Sequence, residues 1–476
     1  MTTSHPAASH PAGTGATGTT TGMLADAWHS LSGDPQLLPL VHVTGENADL
    51  LPSTTACTSA MVAAVAAGTL AVSALGAART GRPAGSVVVD AEHVAVAARS
   101  ERYALLEGTT PPETLFAPLS RFWRTRDGWL RLHTNYPWHR DRALHVLGCA
   151  DDLDAVAAAV AERSGEELEE ALAAAGALGF AVRTREQWAE HPQGRAVAAL
   201  PLATSRAASG PSRSPAPAGD GAAPLHGIRV LDLTRVIAGP VATRTLAAWG
   251  ADVLRVDSPH LPEIAAQALD TLPGKRSTLL DLAMTADRAR FEELLGLADV
   301  VVHGYRPGAL DRYGLSSAEL AERHRHLSVV QLSAWGPDGP WAGRRGFDSL
   351  VQCPTGIAAA EGHDGRPGTL PAQVLDHATG YLSAAAAALS LTGVVRGEPA
   401  RHTRLSLAQT AHWLQQAGPV DRRPEQTMDP TPYLTSVAGP SGRVRVVAPP
   451  GAVGDVRPGW RSTTEIGRDD ARFSGR

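Results

Sequence analysis

The sequence predicts an α/β protein: a doubly wound, Rossmann-like parallel sheet with a smaller α+β domain beside it. Three observations carry that expectation. RVLDL at 229–233 and DVLRV at 252–256 read as buried strands, and the apolar residues of 241–249 between them recur at helical spacing. Strand, turn, helix and strand make one βαβ unit with a crevice at the carboxyl edge of its sheet. Apolar runs at 278–282, 300–302 and 327–332 then alternate with helical stretches, which extends the parallel sheet. Finally, 204–224 (TSRAASGPSRSPAPAGDGAAP) repeats Pro, Gly and Ser without apolar periodicity and reads as a linker.

In the turn of the βαβ unit, Ile237–Ala238–Gly239–Pro240, Pro240 suits a first helical turn because its missing N–H is no loss there. Gly239 would let the backbone approach a ligand closely, and the amides after it would face an anion or a developing oxyanion. Upstream, 56–78 (ACTSAMVAAVAAGTLAVSALGAA) is uncharged over about the length of a membrane span. It is rich in Ala, Ser, Thr and Gly, too weakly apolar for insertion, so a buried helix is expected. WRTRDGWLRLH at 123–133 has the shape of a hairpin with Asp127–Gly128 as a type I′ turn. Thr184 and Gln187 stand at capping-box spacing.

A long-range repeat is also legible. At a constant offset of 316, residues 375–413 and 59–97 both run Ala-rich helix, Gly/Pro break, short strand, helix, and Asp376 falls on Ala60.

Composition narrows the function classes. The 476 residues suffice for two or three domains, and a net charge of -5 gives no reason to expect nucleic acid or a membrane as partner. Cys57, Cys149 and Cys353 form no metal or disulfide pattern, and His133 and His139 show no metal spacing, so no metal is expected and a reducing cytoplasm fits. The first 23 residues, small and polar with no signal-peptide pattern, read as a disordered tail. Lys275 is the one lysine among 43 basic residues, a bias that makes arginine counts uninformative.

Asp376 opens the Ala-rich helix of VLDHATG. It reads either as a first-turn Asp favoured by the helix dipole or as a carboxylate nucleophile that splits an acyl transfer into two easier steps. Lys275, Arg306, Arg312, Arg344 and Arg345 lie at strand ends or in the loops after them. Each alone is a solvated charge; clustered, they would suit the phosphates of a nucleotide-bearing ligand. His377 reads as a packed helix histidine.

These stretches resemble the family III CoA-transferases, the formyl-CoA and carnitine CoA-transferase (CaiB/BaiF) group that also contains 2-methylacyl-CoA racemases. The resemblance rests on GIRVLDLTRVIAGPVATRTLAAWGADVLRVDSP, GKRSTLLDL, ADVVVHGYRPGALDRYGLS, SAWGPDGPWAGRRGFDSLVQCPTG and LDHATGYLSAAAAALSL, in family order. It implies coenzyme A as part of the substrate and transfer of CoA between an acyl-CoA and a carboxylic acid. Asp376 matches the family's catalytic aspartate, which forms an acyl anhydride and then an aspartyl-CoA thioester. Val236, Ile237 and Ala238 match the loop beside it, and Lys275, Arg306, Arg312 and Arg345 fall on or near positions used around CoA.

This chain departs from the family in several ways. Gly304 stands where many members have Asn, and Ile237 replaces the Gln of formyl-CoA transferase, which argues against that substrate. Gly346–Phe347–Asp348 replaces the racemases' Gly-His-Asp, so transferase is favoured over racemase. The family's glycine-rich loop is missing, which leaves a non-catalytic acyl-CoA-binding paralogue as an alternative. Residues 79–202 resemble the small domain that members place after the α/β domain, and 442–451 resembles a shortened second version. The expected organisation is a tail (1–23), a truncated unit (24–203), the linker (204–224), the CoA-binding α/β domain with Asp376 (225–414) and a small-domain-like segment (415–476). Family members form interlocked dimers. A homodimer is expected here too, with the N-terminal unit docking in cis through a linker that spans roughly 25 Å.

Overall fold

The computed structural model describes residues 14–45, 50–110, 115–208, 210, 212–215, 223–422, 424 and 428–474. The chain opens with α1 (Thr14–Ser30), β1 (Val41–Thr44), α2 (Cys57–Thr80), β2 (Val87–Asp90), α3 (Ala91–Ala97) and β3 (Leu105–Leu106). Next come β4 (Phe122–Arg124), β5 (Trp129–Leu132), α4 (Pro137–Leu147), α5 (Leu153–Ala161), α6 (Gly165–Ala174), β6 (Gly179–Ala181), α7 (Arg185–Glu190), α8 (Pro192–Ala198) and β7 (Ala203–Ala207). The α/β part holds β8 (Arg229–Leu233), α9 (Ala238–Ala248), β9 (Asp252–Asp257), α10 (Ala265–Thr271), β10 (Lys275–Leu279), α11 (Thr285–Leu297), β11 (Val300–His303), α12 (Ser317–Arg323) and β12 (Ser328–Ser333). It continues with α13 (Asp348–Val351), α14 (Ile357–Ala360), α15 (Val374–Val395), β13 (Arg401–Ser406) and α16 (Leu407–Gln416), before β14 (Leu434–Gly439), β15 (Gly442–Val447) and β16 (Ala452–Val453).

The apolar runs of the second half assemble one seven-stranded sheet in the order β10-β9-β8-β11-β12-β13-β7, parallel except for β7. Counted from β8, the six parallel strands stand 3-2-1-4-5-6, so the order reverses between β8 and β11. At that point loops diverge and leave a crevice outside the carboxyl ends. Val230, Val300, Val330 and Leu405 face the larger core, into which α9, α15 and α16 also pack; Leu231, Leu254, Val301 and Val329 face the side with Leu294 and Leu320.

The repeat is visible in three dimensions. The offset of 316 carries α2 onto α15, β2 onto β13 and α3 onto α16. Asp90 and Ser406 occupy matching strand ends, and each side chain caps the following helix by accepting backbone N–H bonds. In both copies an antiparallel strand closes the edge: β16 on β2, β7 on β13. Each closing strand comes from the other half of the chain. The segments expected as consecutive units therefore share sheets, and β15 likewise pairs with β3.

Several expectations change. Residues 14–23 of the expected tail belong to α1, which buries Met23 and Trp28 against the core; residues 1–13 lie outside the described ones. The linker begins as strand β7, because its backbone completes the free edge of β13; its residues 209, 211 and 216–222 are not among those described. The 123–133 hairpin forms, but neither Asp127 nor Gly128 has positive φ, so its turn is not type I′. Thr125 closes it instead, through Oγ1 contacts to Gly128 N (2.9 Å) and Asp127 Oδ1 (3.0 Å). Thr184 and Gln187 do form a capping box.

The Ala-rich helices α2 and α15 are both long and apolar enough to cross a membrane, and both are 89% buried inside the protein, packed on each other. Small side chains let them approach. A Cβ placed on Gly380 would lie 2.6 Å from Ala238 O and 2.8 Å from Val241 Cβ, so glycine sets the distance between α15 and α9. Gly380→Ala should therefore cost about 1–3 kcal/mol in urea denaturation. Gly296→Ala, in α11 with open space around it, should instead be neutral or stabilising by up to about 1 kcal/mol.

Candidate active site

Asp376 sits in the first turn of α15, 6% exposed. Its amide donates to Asp348 Oδ2 at 3.0 Å, so it is the backbone rather than the side chain that anchors it. Asp348 heads α13 and is fully buried, with Gln352 Nε2 donating to its Oδ1 at 2.5 Å. Beside them His377 Nε2 meets Glu101 Oε2 at 3.0 Å, both side chains buried. That pair accounts for His377 as a packed, hydrogen-bonded residue. Among the described residues, nothing donates a hydrogen bond to the Asp376 carboxylate.

Instead the carboxylate opens on a cavity of about 410 Å³ lined by Glu101, Phe116, Val236, Ile237, Phe347 and Gln373, among others. Val236 and Ile237 follow β8 at the switch point of the sheet. Val236 has φ 69°, a left-handed conformation costly for a β-branched residue. The strain is held in place: Val236 N donates to Glu263 Oε2 (3.2 Å), and Glu263 is fixed by Arg255 Nη2 (2.9 Å) and the Tyr136 hydroxyl (2.6 Å). Gly239 does not approach the cavity. A Cβ there would strike Thr234 at 2.3 Å, so its role is to let the turn close on Thr234.

Electrostatically the site is a cluster of carboxyl groups short of cations. Burial first, then the charges of Asp348 and Glu101, raise the Asp376 pKa well above the ordinary carboxylate range. Burial likewise pushes Asp348 up to about 6, although the Asp376 amide and Gln352 partly counter it. Burial opposes ionisation of Glu101 too, but there the hydrogen bond and charge of His377 prevail and its pKa is lowered. His133, stacked on Phe347 with ring centroids 4.0 Å apart, is held to about 3 by burial and by the nearby His139 and Arg131. It is neutral at pH 7.

The basic residues divide. Burial, then Arg306 and Arg142, lower the pKa of Arg345, which places three guanidinium groups near one another. Among the described residues none of the three forms an ion pair. Lys275 corrects the expectation of a CoA contact. It is fully buried, bonded to Asp232 Oδ2 (2.8 Å), Thr243 Oγ1 (2.6 Å) and Pro240 O (3.1 Å), because it must neutralise Asp232 inside the sheet. Arg312 lies over the ring of Tyr313 at 4.6 Å and is exposed, away from the cavity lining. Ala238 begins α9, and its carbonyl abuts Gly380.

Glu101, His133 and Phe116 escaped sequence reasoning because they come from the other half of the chain, where no local pattern marks them. Asp348 carried a signal, an acid directly before a short apolar helix at GFDSL.

Ionisation here is linked to stability. Between the ordinary carboxylate pKa of the unfolded chain and the raised native value of Asp376, the native state holds more protons, so stability falls as pH rises through that window. Asp376→Asn removes the penalty. Its Tm should exceed that of the native protein at pH 8, and the difference should shrink toward pH 4 in thermal scans.

Residues 225–440 match CoA-transferase family III. An acyl-CoA transferase of Gibberella moniliformis is 30% identical over 341 residues, 62% of this chain and 59% of that protein. A probable fatty acyl-CoA transferase of Mycobacterium tuberculosis, Rv3272, is 32% identical over 42% of this chain and 54% of its own length, and a formyl-CoA:oxalate CoA-transferase of Rhodopseudomonas palustris is 33% identical over 33% and 40%. The chain thus spans about half the length of the curated relatives it matches. A crystal structure of Rv3272 aligns with a TM-score of 0.39 at 31% identity, over 41% of this chain and 57% of that one. The stretch similar to CoA-transferase family III, residues 225–440, makes up a little under half of the chain.

Proposed function

We propose that the protein transfers CoA between an acyl-CoA and a carboxylic acid, with Asp376 as nucleophile. The observation that carries this reading is the Asp376 carboxylate itself: buried, without a hydrogen-bond donor, and facing a cavity. A carboxylate engaged only as a helix-dipole partner would be solvated or capped. One stripped of donors keeps its electron pairs free for attack on a carbonyl.

In this reading a carboxylate oxygen of Asp376 attacks the thioester carbonyl. The C–S bond breaks, CoA leaves as thiolate, and an acyl-aspartyl anhydride remains. The thiolate then attacks the aspartyl carbonyl, releasing the donor acid and leaving an aspartyl-CoA thioester. The acceptor carboxylate repeats the sequence in reverse order and restores Asp376. Asp348 positions Asp376 through its backbone amide, and its negative charge raises nucleophile basicity. Phe347 and Phe116 exclude water that would hydrolyse the anhydride. The guanidinium cluster of Arg345, Arg306 and Arg142 would hold the phosphates of CoA.

Incubation with a panel of acyl-CoA thioesters and hydroxylamine should convert Asp376 to a hydroxamate detectable by peptide mass spectrometry, and Asp376→Ala should abolish CoA exchange. Full activity in that variant would refute the assignment. CoA binding without turnover across the panel would favour the non-catalytic paralogue. A racemase reading has less support, because His133, the imidazole beside Phe347, is a weak base at a pKa of about 3; deuterium wash-in at the α-carbon of a 2-methylacyl-CoA would reveal it. Arg345→Gln should raise KM for a CoA thioester about tenfold, the worth of one charge-assisted phosphate contact, and leave a pantetheine thioester unchanged.

The cavity takes Glu101, Phe116 and His133 from one half of the chain and Asp376, Val236 and Phe347 from the other. One chain would then supply in cis part of what an interlocked pair supplies, whether or not it also dimerises. Residues 223–476 expressed alone should aggregate, since α15 loses the cover of α2, and co-expression with residues 1–215 should restore a soluble, active complex. A soluble and fully active 223–476 fragment would overturn the cis arrangement.

A further inference from the structure

A parallel strand buried on both faces reads as a near-continuous apolar run. Strands β12, β13 and β7 break that rule on one face. Their pairing sets His303 beside Gln331, Gln331 beside Arg404 and Arg404 beside Thr204, a single cross-strand row over four strands. At strand spacing the row runs roughly 14 Å. The neighbouring row passes from Val301 and Val329 to His402 and Arg206. The apolar cluster on this face, which includes Val301 and Leu294, reaches Val329 and stops there. Two hollows of about 270 and 170 Å³ lie over the polar rows and meet at Gln331 and Arg404.

Two groups in these hollows, His303 and Arg404, carry the argument. His303 is 4% exposed, and neither of its ring nitrogens has a hydrogen-bond partner. Such burial of unpaired polar atoms is costly unless something satisfies them. Arg404 forms no ion pair among the described residues. Asp311 is the single carboxylate in the lining of either hollow, and Arg404 stands where the two hollows meet. Burial with the nearby Arg404 holds His303 at about 4, and burial with Arg206 and Arg404 holds His402 at about 4, so both rings are neutral at pH 7. Each then offers one N–H donor and one acceptor. No lining residue is shared with the cavity at Asp376.

We propose that this open face of β11, β12, β13 and β7 is a second binding site, for a phosphate-bearing small molecule held by Arg404 with His303 and His402. Phosphate oxygens accept from the guanidinium and from an imidazole N–H, and a monoanionic phosphate O–H can donate to the remaining ring nitrogen. The pattern suits phosphate better than a lone carboxylate, which has no proton to donate at neutral pH. Arg306, given above to the phosphates of CoA, lines the larger hollow but is no part of this site, and the inference does not rest on the chemistry assigned to Asp376.

Inorganic pyrophosphate is the probe, with the full chain in both thermal scans and calorimetric titration. At concentrations of about 100 times Kd, Tm should rise by a few degrees, and Arg404→Gln, a surface change, should abolish the rise. Saturating CoA should leave pyrophosphate binding unchanged, and hydroxylamine trapping at Asp376 should proceed normally in Arg404→Gln. No pyrophosphate binding at 10 mM, binding retained in Arg404→Gln, or displacement by CoA would each overturn the separate site. Displacement would make the groove an extension of the CoA crevice; absence of binding would leave it filled by water alone. Loss of trapping at Asp376 in the native protein would count against the CoA-transfer reading and leave this test untouched.

Discussion

An acid side chain held out of water without a donor is expensive, and the rest of the structure is arranged to keep one so. Asp376 sits on a helix too buried to move, and its amide is tied to Asp348. Asp348 cannot solvate it, being a carboxyl group itself, and Glu101 is already committed to His377. Each of the three acids denies the others relief. The cluster would be intolerable if all three ionised, and the raised pKa values of Asp376 and Asp348 show which of them yield protons last. Stability is given up at this carboxylate, which is the trade the proposed role of Asp376 as nucleophile would require.

The scaffold around that cluster is stiff for the same reason. Lys275, Asp232, Arg255, Asp257 and Glu263 form a buried charge network beneath the switch point of the sheet. Its outermost member, Glu263, accepts from Val236 and so pins the strained turn against the cavity. An ordinary loop would relax the φ of 69° at Val236 by a peptide rotation; here that would leave a buried Glu263 oxygen with one donor fewer. Tyr136, from the first half of the chain, bonds the other oxygen of Glu263. The wall of the site is thus braced from both halves.

Much of this was legible in the sequence where the determinants are local. RVLDL, the helix after it and the Ala-rich run at Asp376 declare themselves by spacing and composition, and β8 and α15 form there. The repeat was legible as well, because Gly/Pro breaks punctuate both copies at one offset. What could not be read is what depends on three-dimensional neighbours. Lys275 looked like a strand-end cation free for phosphate, and only packing shows it consumed by Asp232. The linker composition concealed a strand because β7 forms by pairing to an edge, not by propensity. Glu101 and His133 reach the site through a chain crossing that no periodicity records.

The two copies of the repeat also explain why a single site is built. The position matching Asp376 is Ala60, 1% exposed in α2. Asp376 is tolerable because the cavity gives its carboxylate an open side. Ala60 lies in the apolar core cluster with Cys57, Met61 and Ala64, and it lines none of the cavities described around the site. An aspartate there would carry the desolvation cost with no compensating opening. The same repeated frame therefore serves two ends. One long helix presents a carboxylate, and its counterpart, purged of charge, gives the first helix the apolar surface that buries it.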